Sequence, residues 1–139
     1  MMSPEYTLTA KEEEDIREFL QKQEGRKIIC KHEMSGFWYH DETWESEFRI
    51  LFLMNFRLTV SRVNFIKKRQ GTMTKVMEFL RKLCEEKGIA DIVIQCVETP
   101  EMAQWCRKNH FNPIPNSSFQ AKNGVILGDY IKNVMANEP

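Results

Sequence analysis

The stretch ADIVIQCV, residues 90–97, constrains the fold of this chain more than any other. It is a continuous apolar run held between Gly88 and the Thr99-Pro100 pair, too short for a core helix and without the alternation of a half-exposed strand. Such a run predicts a central strand buried on both faces. Ahead of it, Met73, Val76, Met77, Leu80, Leu83 and Cys84 fall on one helical face, which predicts a helix from Met73 to Lys87 stopped by Gly88. The segment before that helix, FRILFLMNFRLTVSRVNF, is dense in aromatic and β-branched residues and reads as antiparallel strands with Asn55 near a hairpin turn.

The remaining elements follow from local signals. Thr9 with Glu12 has the capping-box pattern, and Ile16, Phe19 and Leu20 form a stripe that predicts a helix to about Gln23, ended by Gly25. The preceding EYTLT reads as a short strand. RKIICKHEM and GFWYH add strands punctuated by Gly36 and Asp41. Thr99 as cap and Pro100 at the first helical position open a further helix carrying Met102, Trp105 and Cys106 on one side. FNPI and GVILGDYIKNV supply closing strands, with PNSSFQAKNG as the loop between them. This order predicts an α/β protein with three layers, α/β/α, around a mixed, mostly antiparallel central sheet.

At 139 residues, with 42% hydrophobic and 29% charged, the chain has the size and balance of one domain spanning residues 1–139. Lys plus Arg and Asp plus Glu are equal in number, so the net field draws neither nucleic acid nor anionic membrane, and nucleic acid is disfavoured as a partner. The dense basic cluster is Arg62, Lys67, Lys68 and Arg69. No run approaches the ~20 apolar residues of a membrane span, and the first residues lack the order of a secretion signal, so the expected location is the cytoplasm. Cys30, Cys84, Cys96 and Cys106 lack Cys-x-x-Cys spacing, which predicts reduced thiols, mostly in the core, and no metal.

The chemistry-bearing feature is the junction NFIKKRQGTMTKVMEFL, where an extended segment passes through one glycine into a helix. The first N–H groups of that helix have no internal partner and lie at the positive end of its dipole, an arrangement suited to phosphate. Gly71 lets the backbone approach an anion closely, and Lys68, Arg69 and the hydroxyls of Thr72 or Thr74 add donors. A solvated basic loop is the competing reading of the same residues. The junction is neither a Walker loop, since no Gly-Lys-Ser/Thr follows, nor a dinucleotide fingerprint, since it holds a single glycine.

VNFIKKRQGTMTKVMEFLRKL resembles the coenzyme A signature of the GNAT superfamily of acyl-CoA-dependent N-acetyltransferases, with Lys68 at the basic position, Gly71 at the first glycine and Met73 where a small residue is usual. IVIQCVETPEMAQWCRKNHFNPI is similar to the next block of that family, with Cys106 at its usual tyrosine. The resemblance implies that Val63, Asn64 and Phe65 form a splayed segment binding the pantetheine arm. Lys68, Arg69, Gln70, Gly71, Thr72, Met73 and Thr74 would hold the diphosphate of acetyl-CoA. It further implies an acceptor bearing a primary amine on a small molecule or peptide, and it is compatible with a homodimer. Cys106 or Tyr130 are the candidate acids for the departing thiolate, although Cys106 also reads as a small buried hydrophobe. Glu33 is the candidate base, drawn from Glu33, Glu47, His40 and His110. Phe37, Trp38, Tyr39 and Trp44, beside Asp41, Glu42 and Glu45, are candidates for an acceptor pocket. The alternative is a catalytically silent GNAT-like domain that binds coenzyme A or a protein partner.

Overall fold

The computed structural model describes residues 7–67, 71–121 and 123–134. Lys68, Arg69 and Gln70, assigned above to phosphate binding, lie outside the described residues, as do Glu5 and Tyr6 of the expected first strand. Thr7, Leu8 and Thr9, the described part of that segment, are not in a strand.

Helix α1 spans Ala10–Glu24. The capping box forms as its residue types predict: the Thr9 hydroxyl accepts from the Glu12 N–H at 3.1 Å, and the Glu12 carboxylate accepts from the Thr9 N–H at 2.9 Å. Gly25 takes the left-handed conformation at φ 67° and ends the helix by donating to the Gln21 carbonyl. Strands β1 (Ile29–Glu33), β2 (Gly36–His40), β3 (Glu47–Leu53) and β4 (Arg57–Asn64) then run as an antiparallel meander. Helix α2 (Thr72–Lys87) carries the chain to β5 (Asp91–Val97), which pairs parallel to β4. Helix α3 (Pro100–Lys108) leads to β6 (Asn112–Gln120) and β7 (Ile126–Asn133). The seven strands lie in the order β1-β2-β3-β4-β5-β7-β6, mixed but mostly antiparallel and flanked by helices.

One face of the sheet and the helices share a core. Ile16 and Leu20 of α1 and Val76, Leu80 and Leu83 of α2 are buried with Phe48, Ile50, Leu58, Val60, Ile92 and Ile94 of the central strands. Burial of each such side chain stabilises the fold by about 1.5–3 kcal/mol before chain entropy is counted. Met73 lies in this core, as its place in the apolar stripe requires. Strand alternation sends the neighbouring side chains to the opposite face, where register places Trp38 beside Arg49, Arg49 beside Arg62, and Glu47 between His40 and Asn64.

Two expectations change. Much of PNSSFQAKNG is strand rather than loop, because β6 runs to Gln120 along the sheet edge. Its prolines sit where edge strands tolerate them, and its pairing with β7 is interrupted between Pro113 and Ser118. The thiols also divide: Cys84 and Cys106 are buried, but Cys30 is half-buried and Cys96 exposed. Among the described residues no helix is long and apolar enough to cross a membrane.

Gly128 lets β6 cross β7 closely. It has φ 116°, and a Cβ there would lie 2.3 Å from the Ser117 carbonyl oxygen. Gly128→Ala is expected to cost on the order of 3 kcal/mol, read as a lower urea midpoint with an unchanged denaturant slope.

Candidate active site

The parallel ladder between β4 and β5 runs from the Arg57–Asp91 pair to the Val60–Ile94 pair and stops. Beyond it β4 stays on β3 to Asn64 and β5 stays on β7 to the Val97–Gly128 pair, each on its outer edge. Each strand has an irregularity where they part. On β4 the pairing jumps from Ile50–Val60 to Arg49–Arg62, leaving Ser61 as an extra residue. On β5 the register with β7 shifts between Ile94 and Val97, Cys96 adopts φ 55°, and its N–H donates to Asp129 Oδ1 at 2.8 Å. An extra residue bends its strand and increases local twist, so the strands open into a wedge. The Ser61 hydroxyl oxygen is buried at the bulge without a partner among the described residues.

The end of α1 organises the loop that leaves the wedge. Glu24 is 3% exposed, and its carboxylate accepts from the Ile66 N–H at 2.7 Å, the Lys67 N–H at 3.2 Å and the Ser46 hydroxyl at 2.5 Å. Next to it, Gln23 Nε2 donates to Thr72 Oγ1 at 3.1 Å. Both ends of the loop are therefore tied to α1. Gly71 then takes φ 74° as the N-cap of α2, with, among the described residues, no side-chain cap bond and no atom within 4 Å of where its Cβ would be. The first N–H groups of α2 consequently meet no side-chain cap among the described residues, at the positive end of the dipole.

The expected binding residues divide by what their side chains do. Val63 packs partly against the core, Phe65 is buried beside Phe48 with ring centroids 6.1 Å apart, and the Asn64 amide donates to the Glu45 carbonyl at 2.8 Å. The Thr72 hydroxyl is turned toward α1, and Met73 points inward, so at these positions the backbone faces the junction. Thr74 is exposed, and its hydroxyl accepts from Trp105 Nε1 at 3.0 Å, leaving its own proton available.

Cys106 and Tyr130 are brought together but both are fully buried. Burial pushes the Cys106 thiol up to about 12, and the Tyr130 hydroxyl, also raised by burial, donates to the Ile126 carbonyl at 2.5 Å. Tyr130 pairs with Ile94, the last β5 residue before the wedge. Glu33 lies at the other end of the meander in a two-pronged pair with Arg49 at 2.8 and 2.7 Å, and this partner lowers its pKa. Glu47, in contrast, pairs directly with Asn64 and accepts from Trp38 Nε1 at 2.8 Å and Arg62 Nε at 3.3 Å. His40 is buried near it, with Nε2 unpartnered and its ring stacked on Trp44. His110 lines a separate cleft of 340 Å³ with Arg107, Phe111 and Pro113.

The aromatic group splits across the sheet. Phe37 and Tyr39 belong to the core, whereas Trp38 and Trp44 meet edge to face at 5.3 Å near Glu47. The Arg49 guanidinium covers Trp38 at 4.5 Å. Asp41 is not available to draw in an amine. Burial raises its pKa, but the Ser46 N–H, the Thr43 hydroxyl and Arg26 more than offset this and hold the carboxyl low.

Glu24, Ser61 and Cys96 escaped sequence reasoning. Glu24 did leave a trace: a carboxylate at a helix C-terminus opposes the dipole, so its presence there asks for a partner. Nothing local marked Ser61 or Cys96, since a bulge is a property of two paired strands.

No family model matches the sequence, and no curated protein matches it. Solved structures do match in fold. The ribosomal-protein-S18-alanine N-acetyltransferase from Escherichia coli superposes with a TM-score of 0.55 over 95% of this chain and 94% of that one, at 13% identity. Ard1 from Thermoplasma volcanium gives 0.53 over 94% and 96%, at 10% identity. A probable GNAT-family acetyltransferase from Chromobacterium violaceum gives 0.52 at 12% identity over 73% of this chain, which spans 61% of that protein's length. Nourseothricin acetyltransferase gives 0.52 at 13% identity over 71% of this chain, which spans 64% of its length. The fold is that of the GNAT acetyltransferases. At these identities the likeness defines architecture, and the chemistry rests on the site.

Glu24→Gln would retain the shape of the clamp but replace a charged acceptor with an amide. A stability loss of about 2 kcal/mol is expected, together with faster amide exchange at Ile66 and Lys67, measured by urea denaturation and hydrogen exchange.

Proposed function

We propose that this protein is an N-acetyltransferase that moves the acetyl group of acetyl-CoA to a primary amine of a small molecule or peptide. The observation that carries the reading is a wedge between β4 and β5 whose outgoing loop ends at a left-handed glycine and an uncapped helix. An anion at that helix start meets backbone N–H groups and the Thr74 hydroxyl, and Lys68, Arg69 and Gln70 stand adjacent in sequence. The diphosphate of acetyl-CoA fits this donor set. Val63, Asn64 and Phe65 would border the pantetheine arm, and the unpartnered Ser61 hydroxyl marks polar capacity inside the wedge.

In the reaction the amine nitrogen bonds to the acetyl carbon, the carbon–sulfur bond breaks with its electrons leaving on sulfur, and the amine loses a proton. Holding the two reactants together in the wedge supplies much of the rate gain. We assign the proton to Glu47, directly or through water, instead of Glu33, because Glu47 abuts Asn64 while Glu33 is held by Arg49. Cys106 and Tyr130 are both fully buried, and the Tyr130 proton is given to the Ile126 carbonyl, so both are assigned to packing and the coenzyme A thiolate leaves without a side-chain acid.

Gly71→Asp is expected to abolish acetyl-CoA binding in titration calorimetry while the fold persists at a modest cost in stability. Asp is among the residues that tolerate a left-handed φ, no described atom crowds the position, and the added carboxylate would lie beside the diphosphate. Unchanged affinity would show that the diphosphate binds elsewhere. In a thiol-release assay on an amine panel, Glu47→Gln is expected to lower kcat about 100-fold and Cys106→Ala less than about tenfold. Binding of acetyl-CoA without thiol release from any amine would favour the silent coenzyme A-binding domain over the enzyme.

A further inference from the structure

Outside the wedge, three side chains of different chemistry meet where α1 crosses the edge strand. Cys30 and His32 alternate along β1, and their partners Tyr39 and Phe37 on β2 are both buried. Glu13 on α1 faces them, with its Oε1 2.8 Å from His32 Nε2. The thiol sulfur, imidazole nitrogen and carboxylate oxygen all lie within 4.8 Å of one another. We propose that Glu13, Cys30 and His32 form a site for a zinc-class divalent cation that fastens the start of α1 to strand β1.

The ligand set selects the class of ion. Sulfur, nitrogen and oxygen together suit Zn²⁺ and Co²⁺, whereas Ca²⁺ and Mg²⁺ take oxygen alone. Bonds of about 2.0–2.3 Å in a tetrahedron separate ligand atoms by roughly 3.5 Å. The Glu13–His32 pair must therefore open slightly, and the other separations, none above 4.8 Å, must close by no more than about an ångström. Side-chain rotation allows this, because the His32 side chain is 66% exposed. The same exposure admits water as a fourth ligand. Groups around the cluster already orient it: the Phe37 ring meets His32 edge-on at 5.3 Å, and the Tyr39 hydroxyl donates to the Glu13 carbonyl at 3.0 Å.

Without metal, burial and the nearby Glu13 carboxylate push the Cys30 thiol up to about 12, so it is protonated at neutral pH. A bound dication reverses that preference: the S–H bond gives way to a sulfur–metal bond and one proton is released to solvent. The site closes on a strand that, among the described residues, has a partner on one side only. It also bears on α1, whose other end clamps the loop before α2. This inference does not depend on the acetyltransferase reading.

The test uses the full, tag-free chain, reduced and freed of metal, titrated with Co²⁺ and then Zn²⁺. One Co²⁺ per chain is expected, with a thiolate-to-cobalt charge-transfer band that Zn²⁺ removes by displacement. Cys30→Ser should abolish the band, His32→Ala and Glu13→Gln should each weaken binding by more than about tenfold, and Cys96→Ser should change nothing. Saturating Zn²⁺ should raise the Tm by about 5 °C in the parent chain and not in Cys30→Ser. Absence of the band, its survival in Cys30→Ser, or its loss in Cys96→Ser would overturn the site. So would undiminished affinity in both His32→Ala and Glu13→Gln.

Discussion

Backbone pairing between β4 and β5 ends with Val60 opposite Ile94, and the polar life of this molecule is arranged around that ending. A parallel ladder in the middle of a sheet normally continues until one strand runs out. Here an extra residue at Ser61 and the left-handed Cys96 turn the strands apart. β4 keeps β3 and β5 keeps β7 as neighbours, but those pairings already run from the start of each strand, so beyond Val60 and Ile94 the two facing edges have no ladder partner among the described residues. The opening thus leaves backbone polar groups along its two inner edges without a ladder partner among the described residues.

A cleft of this kind is useful only if the loop beside it keeps a shape. Glu24 supplies that constraint from a position where a carboxylate is electrostatically disfavoured, since it is the last residue of α1. Its hydrogen bonds to two consecutive backbone N–H groups and to Ser46 compensate for burial and for the unfavourable dipole. With Gln23 holding Thr72, one helix end sets both the exit from β4 and the start of α2. The two faces of the sheet then divide the labour. The face against α1 and α2 packs, and the opposite side chains of β2, β3 and β4 include Trp38, Glu47, Arg49 and Arg62.

The elements legible in the sequence are those with a local cause. The capping box at Thr9, the stripe from Met73 to Cys84, the cap at Thr99 and the glycines at 25 and 88 each act within a few residues, and each appears as expected. The continuous run at 91–97 reads as a central strand because apolar side chains without alternation need neighbours on both edges and faces. Local reading failed where pairing decides. The stretch after Pro113 has turn-rich composition yet extends as an edge strand because β7 is there to pair with it. The choice between Glu33 and Glu47 was open for the same reason: both precede or follow strands, and only register places one against Asn64 and the other against Arg49.

By itself, then, the sequence determined an α/β chain with a glycine-opened helix after a strand, because helix periodicity, caps and glycine conformations are short-range properties. Tertiary structure alone decided where β4 and β5 part, that Glu24 reaches Ile66 across 42 positions, and that Glu13 meets Cys30 and His32. Those outcomes depend on strand register and on how α1 seats against the sheet. Both are set by contacts between segments far apart in sequence, whose free energies balance only once the whole core has formed.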